Sequence, residues 1–187
     1  MTKIQIINQN GINFLWNKNK LITWDIPAEQ SMLKEMSKIA FGNVLVVGYG
    51  LGLVQQYLLE NPKVNSVTTL EKNKDIPQIN HETFKQTHGE ILIGNFFTHK
   101  IEQEYDCIMT DVCKEIMLDS LSNYRRFKKR AQELLRPKGK IIAWGKNYFE
   151  YLIDSKKILR DYSGDNQGFE EIQDNSMEWQ EWQNNKN

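Results

Sequence analysis

The residues best placed for chemistry follow an apolar run in the first third of the chain. Val44-Leu45-Val46-Val47 predicts a strand that is buried on both faces. Gly48, Gly50 and Gly52 follow it at alternate positions, ahead of a helix-forming segment at 51–60. Glycines let the backbone turn sharply and approach a ligand closely, and a helix N-terminus adds unpaired N–H groups. The pattern therefore predicts a ligand-binding turn.

An acidic residue follows this turn at a distance typical of nucleoside-binding α/β units. Glu71 closes a second apolar strand, predicted over 66–70, roughly 20 residues after the glycines. In such units an acid at this position binds the ribose hydroxyls. The turn and the acid together indicate a nucleoside-binding site more strongly than either does alone.

Polar residues also follow the next two predicted strands. Asn95 follows a strand at 90–93, and Asp111 directly follows a strand at 105–110. Ligands of open parallel sheets bind outside the carboxyl ends of the strands. We therefore expect Asn95 and Asp111 to lie at the same sheet edge as the glycine turn.

Alternating strands and helices predict the fold class, which is α/β with a mostly parallel central sheet. A helix starts at Pro27, and Asn10-Gly11 predicts a hairpin turn between short N-terminal strands. We expect a β appendage over 1–27 and one main domain over 28–187. The other predicted elements are helices at 79–86, 124–135 (ended by Pro137 and Gly139) and 148–162, a fifth strand at 140–144, and a closing C-terminal hairpin from 168–173 and 177–182.

Composition narrows the class of protein. The chain has 187 residues, of which 40% are hydrophobic, and this is enough for one well-buried domain. It has no apolar run of membrane-spanning length and no signal-peptide pattern, so we expect a cytoplasmic protein with no membrane partner. The two cysteines, Cys107 and Cys113, and the scattered histidines predict neither a disulfide framework nor a metal site.

Charge is distributed unevenly although the formal net charge is zero. The segment 123–140 is strongly basic, and 165–187 is acidic. We interpret them as a solvated helix face and an acidic tail. Nucleic-acid binding is not expected, because there is no recognition motif and no set of surface aromatics interleaved with the basic residues.

The order and spacing of these motifs resemble the class I S-adenosyl-L-methionine (SAM)-dependent methyltransferases, from about residue 28 onward. The resemblance rests on the glycine turn, Thr69-Leu70-Glu71, the segment 105–111 and Leu134-Leu135-Arg136-Pro137-Lys138-Gly139-Lys140. It implies a Rossmann-like methyltransferase sandwich with SAM as cofactor. In that family the turn passes the methionine part, the acid binds the ribose, and the loop after the third strand holds the adenine. The implied cofactor-binding residues are Gly48, Tyr49, Gly50, Gly52, Glu71, Asn95, Phe96 and Asp111.

Two departures from nucleotide-binding patterns bear on this resemblance. The family often has Asp at the position of Asn95, although an amide also contacts adenine nitrogens. An NAD-dependent dehydrogenase would need glycine at position 53, which is Leu53. The turn therefore favours SAM over NAD.

Two branches of the superfamily are similar to this chain. Trp24-Asp25-Ile26-Pro27 resembles the guanidino-group N-methyltransferases, in which an acid of this stretch and one after strand four clasp the guanidinium. The β-rich N-terminus and Asn61-Pro62-Lys63-Val64 resemble the spermidine synthase-type aminopropyltransferases. That branch usually has aspartates at the positions of Leu51 and Lys114, which counts against polyamine synthesis.

Methyl transfer is an in-line displacement, so the protein must orient a nucleophile and remove its proton. Paired carboxylates suit a cationic guanidino or amine substrate, and we predict Asp111 with Asp25 or Glu29 as the catalytic set. Each of the three has a structural alternative, as a helix cap or a first-turn dipole partner. Three aromatic residues have two possible roles. They either cover the cofactor or stack on a cationic substrate, or they pack in the protein interior; they are Trp16, Trp24 and Tyr49.

Three functional hypotheses remain open. The first is methyl transfer from SAM to a nitrogen of a small cationic substrate. The second is aminopropyl transfer from decarboxylated SAM, and the third is a degenerate methyltransferase fold that acts as an interaction module. Trp179 and Trp182 either cover the sheet edge or face a partner chain in a homodimer.

Overall fold

The structure, a computed structural model, describes residues 4–86, 88–110 and 120–163. The described residues fall into two compact units, one within Met1–Val112 and Phe127–Ala143 and the other within Cys113–Arg126 and Trp144–Asn187. The strands are β1 (Ile4–Gln9), β2 (Ile12–Asn17), β3 (Lys20–Trp24), β4 (Gly42–Val47), β5 (Val64–Glu71), β6 (Glu90–Ile93), β7 (Tyr105–Thr110) and β8 (Leu135–Ala143). The helices are α1 (Pro27–Lys38), α2 (Leu53–Leu59), α3 (Asp75–Phe84), α4 (Ser120–Leu134) and α5 (Lys146–Ser163).

A five-stranded parallel sheet in the order β6-β5-β4-β7-β8 forms the centre of the first unit. The central strand β4 pairs with β5 on one side and β7 on the other, so that Val44 lies opposite both Val67 and Cys107. All three side chains are buried, as a parallel sheet requires. The α/β class and its Rossmann-like parallel sheet are confirmed.

The N-terminal strands form a separate antiparallel sheet in the order β1-β2-β3. Asn10 and Gly11 make the turn between β1 and β2 with φ of 53° and 82°, as the hairpin prediction requires. Leu15 of β2 is fully buried in a cluster with Tyr49, Leu51 and Ile76. This sheet therefore packs against the glycine turn and α3.

Two element boundaries differ from the prediction for reasons connected with proline. The helix predicted at 79–86 begins at Asp75, since Pro77 lies in its first turn, where a backbone N–H has no intrahelical acceptor. The fifth strand begins at Leu135 rather than Lys140, so Pro137 lies inside β8. Proline is tolerated there because β8 is an edge strand among the described strands and its register shifts opposite 105–107.

The second unit contains an aromatic pair between the first part of α4 and α5. The rings of Tyr124 and Phe149 stack with centroids 4.9 Å apart, and the Tyr124 hydroxyl donates to Glu150 at 2.6 Å. No helix in the described part of the chain combines the length and apolarity needed to cross a lipid bilayer. The closing hairpin predicted from 168–173 and 177–182, with Trp179 and Trp182, lies outside the described residues.

The start of β4 depends on a glycine that is pressed against a carboxylate. Gly42 has a φ of +65°, and a Cβ added to it would overlap the Asp106 side chain. That carboxylate accepts the Asn43 N–H at 2.7 Å and pairs with Arg136 at 3.1 Å. Gly42 is therefore required both for its backbone conformation and for the space it leaves.

Gly42→Ala should lower the free energy of unfolding more than Gly11→Ala does. Gly11 also has a positive φ, but a Cβ added there would meet open space. The Gly11→Ala variant therefore measures only the backbone conformational cost of an alanine at positive φ, which is about 1–2 kcal/mol. The overlap with Asp106 adds to this cost at position 42. Urea unfolding of both variants measures the difference. Equal losses in both glycine variants would contradict the packing argument.

Candidate functional site

The turn after β4 has a backbone that only glycines adopt without strain. Gly48, Gly50 and Gly52 have φ of 94°, 58° and 80°. A Cβ added to Gly48 would meet nothing within 4 Å, so the backbone there borders open space. The predicted ligand-binding turn therefore has both the conformation and the free surface that close approach by a ligand requires.

Glu71 holds this turn in place. Its Oε2 accepts the Tyr49 N–H at 2.9 Å, and its Oε1 accepts the Asn73 N–H at 2.8 Å. Glu71 is buried, with an exposed fraction of 5%, and its carboxylate is bound by these two backbone donors. A carboxylate has about four lone-pair sites. Glu71 therefore keeps acceptor capacity for a ligand hydroxyl after it has bound the two backbone groups.

A polar residue behind the turn was missed by the sequence analysis. Gln55 is fully buried, and its Nε2 donates to the Gly48 carbonyl at 3.3 Å and to the Thr69 hydroxyl at 3.2 Å. It lies three residues before Leu58, the other buried residue of α2, and therefore on the buried face of that helix. A glutamine among the buried residues of a helix needs hydrogen-bond partners in the protein interior, and this could have indicated its role from the sequence.

Tyr49 and Phe96 are core residues in this structure. The Tyr49 ring packs with Leu15 and Ile76, and burial raises the pKa of its hydroxyl, an effect that a hydrogen bond from the His88 backbone opposes. The Phe96 ring lies 5.4 Å from Phe127 and is buried. Any cofactor contact by either ring stays a prediction.

Asn95 lies at the sheet edge, two residues after β6 ends, and is exposed. Its Oδ1 accepts the Phe97 N–H at 2.9 Å, and its carbonyl accepts the N–H groups of Thr98 and His99. These bonds fix the loop after the third strand of the parallel unit and leave Asn95 near solvent. The adenine contact implied for it stays a prediction.

The predicted substrate-binding acids are in different situations. Asp25 accepts the Asn13 N–H and the Asn13 side-chain amide, both at 2.6 Å, and so ties the end of β3 to β2. It does not cap α1, whose N-cap is Ile26. Glu29 is half-buried in the first turn of α1. Asp111 and Cys113 lie outside the described residues, so their proximity to Asp25 is not given by the structure.

A cavity of about 230 Å³ borders the glycine turn. Its walls include Asp25 and Tyr49 from the predicted set, together with Asn80, Phe84 and His88, which the sequence analysis did not identify. Gly48, Glu71 and Asn95 are not among its lining residues. The glycine turn therefore borders two separate surfaces: the carboxyl-end edge of the sheet, near Glu71 and Asn95, and this cavity.

No protein-family model matches the chain, and no curated protein matches it. Similar solved structures include a SAM-dependent methyltransferase from Clostridium acetobutylicum ATCC 824, at 12% identity over 64% of this chain and 50% of that chain, with a TM-score of 0.48. The CcbJ methyltransferase from Streptomyces caelestis is 21% identical over 61% and 47%, with a TM-score of 0.46. SAM-bound CalS10 from Micromonospora echinaspora, an amino pentose methyltransferase, is 14% identical over 62% and 49%, with a TM-score of 0.46. The chain spans about half the length of these proteins.

Glu71→Gln should destabilise the protein by about 2 kcal/mol, because hydrogen bonds to a charged group contribute about 1.5–3 kcal/mol and the amide offers one oxygen for two backbone donors. Glu60→Gln is the control, since Glu60 is exposed and, within the described ranges, its carboxylate accepts a hydrogen bond only from the side chain of Gln56. Urea unfolding of both variants measures the effect. If the two variants lose the same stability, Glu71 does not hold the turn.

Proposed function

We propose that the chain is a SAM-dependent methyltransferase that acts on a nitrogen of a small cationic substrate, a guanidino compound or an amine. The observation that carries the proposal is the positive-φ glycine turn after the central strand, whose backbone is held by the carboxylate at the end of the neighbouring strand. This arrangement brings a close-approach surface and a hydroxyl acceptor to one sheet edge, which suits an adenosyl ligand.

The residues of this edge fit the chemical groups of SAM. Gly48 has free space for a ligand beside its backbone, and Glu71 has acceptor capacity for the ribose hydroxyls. The exposed amide of Asn95 suits an adenine nitrogen. Gly50 and Gly52 would complete the turn, while Tyr49 would act through its backbone bond to Glu71. When bound, SAM supplies an activated methyl group on a sulfonium.

In the proposed reaction a substrate nitrogen forms a bond to the methyl carbon while the carbon–sulfur bond breaks. The nitrogen loses one proton, and a carboxylate that binds the cationic substrate is suited to accept it. We assign this role to Asp111, with Asp25 or Glu29 as the second carboxylate. Asp25 keeps free lone pairs beyond its two bonds from Asn13, so it can bind a substrate N–H without breaking them.

Thermal unfolding with SAM, S-adenosylhomocysteine, decarboxylated SAM and NAD tests the cofactor assignment. A ligand at about 100 times its dissociation constant stabilises by roughly 2.7 kcal/mol, a shift of roughly 5–10 °C for a domain of this size. We expect that shift with SAM and S-adenosylhomocysteine and none with NAD. A larger shift with decarboxylated SAM would replace methyl transfer by aminopropyl transfer, and no shift with any adenosyl ligand would overturn both.

Asp111→Ala and Asp111→Asn should lower methyl transfer by at least about 100-fold, the low end of a general base contribution, and should weaken S-adenosylhomocysteine binding far less than that, because Gly48, Glu71 and Asn95 remain. The measurement is transfer of a labelled methyl group from SAM to a panel of guanidino compounds and primary amines. Asp75→Asn is the control, since Asp75 lies at the start of α3 and is not in the proposed catalytic set. Unchanged turnover in the Asp111 variants would remove Asp111 from the mechanism.

A further inference from the structure

Gln55, on α2, is a fully buried amide that is used only as a donor. Its Nε2 donates to the Gly48 carbonyl and to the Thr69 hydroxyl, whereas its Oε1 has no hydrogen-bond partner among the described residues. Exchanging the two amide atoms would place the oxygen against the Gly48 carbonyl, which cannot donate. A buried acceptor without a partner is costly, and an apolar side chain would avoid that cost. The role of Gln55 therefore lies in what its donor binds.

This donor binds one end of a peptide group whose other end is also bound. The peptide group between Gly48 and Tyr49 has its carbonyl bound by Gln55 at 3.3 Å and its N–H bound by Glu71 Oε2 at 2.9 Å. The two partners come from different elements, α2 and β5. Because a peptide group is planar, hydrogen bonds to its oxygen and to its N–H together fix its orientation.

The glycine before this peptide group does not fix the orientation by itself. Gly48 has a φ of 94°, and a Cβ added to it would meet nothing within 4 Å, so neither its own conformational preference nor its neighbours restrain it. Its N–H donates to the Leu70 carbonyl at 3.0 Å, so the freedom lies in the peptide group that follows. Without Gln55, only Glu71 would hold that group.

We propose that Gln55 is a positioning residue for the adenosyl ligand, and that it acts through the Gly48–Tyr49 peptide group and the Glu71 carboxylate that binds this group. The ligand in this inference rests on the proposed function. Gln55 is fully buried and acts without touching the ligand. It raises the fraction of molecules in which the turn and the ribose acceptor have the binding geometry. The apparent dissociation constant is the intrinsic one divided by that fraction.

Gln55→Met keeps an unbranched side chain of similar length and removes the donor. We expect it to weaken S-adenosylhomocysteine binding about five- to tenfold in calorimetric titration, the effect of about one hydrogen bond. Hydrogen exchange followed by NMR tests the turn without any ligand. In the variant the Tyr49 amide hydrogen should exchange at least about fivefold faster than in the native protein, whereas those of Leu45 and Val46 in β4 keep their rates.

Gln55→Glu tests the donor by protonation. An ionised carboxylate cannot donate to the Gly48 carbonyl, but a protonated carboxyl group can. Burial raises the pKa of a carboxyl group, so the introduced acid becomes protonated as the pH falls from about 8 to about 5.5. The affinity of this variant for S-adenosylhomocysteine, relative to the native protein at the same pH, should therefore recover as the pH falls. The ratio for Gln55→Met should stay constant.

Thr69→Val is the matched control, because it removes the other acceptor of Gln55 Nε2 and leaves the bond to Gly48. Thr69 is also fully buried. This variant should lower the free energy of unfolding, since one amide hydrogen of Gln55 loses its partner, yet keep the affinity for S-adenosylhomocysteine within about twofold.

Four outcomes would overturn the inference while the native protein still binds S-adenosylhomocysteine. They are native exchange of the Tyr49 amide in Gln55→Met, unchanged affinity in that variant, no recovery of Gln55→Glu at low pH, and an equal loss of affinity in Thr69→Val. If the native protein binds no adenosyl ligand, the proposed function fails, and the ligand role of Gln55 fails with it. The Tyr49 exchange rate then still decides whether Gln55 fixes the turn.

Discussion

The carboxylate of Glu71 is the interaction on which the region around the glycine turn depends. One oxygen holds the turn through Tyr49, and the other holds Asn73, whose own side chain and carbonyl accept the first N–H groups of α3. Asn80 of α3 then donates back to the Gly50 carbonyl. The bonds form a closed ring from the turn through β5 and α3 to the turn, so its parts position one another.

The buried carboxylate of Glu71 must be stabilised as a charge and, in the proposed function, must also accept a hydrogen bond from a ligand. Burial of the charge is costly unless donors surround it, and backbone N–H groups supply them at fixed positions. A ligand hydroxyl would add a further donor to lone pairs that are already oriented. The same geometry therefore stabilises the unliganded turn and prepares an acceptor, which lowers the reorganisation needed on binding.

The sequence identified those parts of the fold that depend on local chemistry. The apolar run of β4, its three glycines and the Asn10-Gly11 turn were predictable because backbone conformation and strand burial leave clear residue patterns. The roles of Asp25 and Asn80 were not predictable in the same way. Asp25 is bound by Asn13, twelve residues away, and Asn80 by a carbonyl thirty residues away, and such contacts appear only once the chain has folded.

The packing of Leu15 against Tyr49 and Ile76 also affects the order of events during synthesis. The strands β1, β2 and β3 are translated before the turn and α3, so Tyr49 and Ile76 are not yet available to Leu15 when its hairpin can first form. A two-stranded hairpin such as β1-β2 is at best marginally stable by itself. The apolar face of this sheet is therefore covered only after α3 has been translated, although its own strands are made earlier.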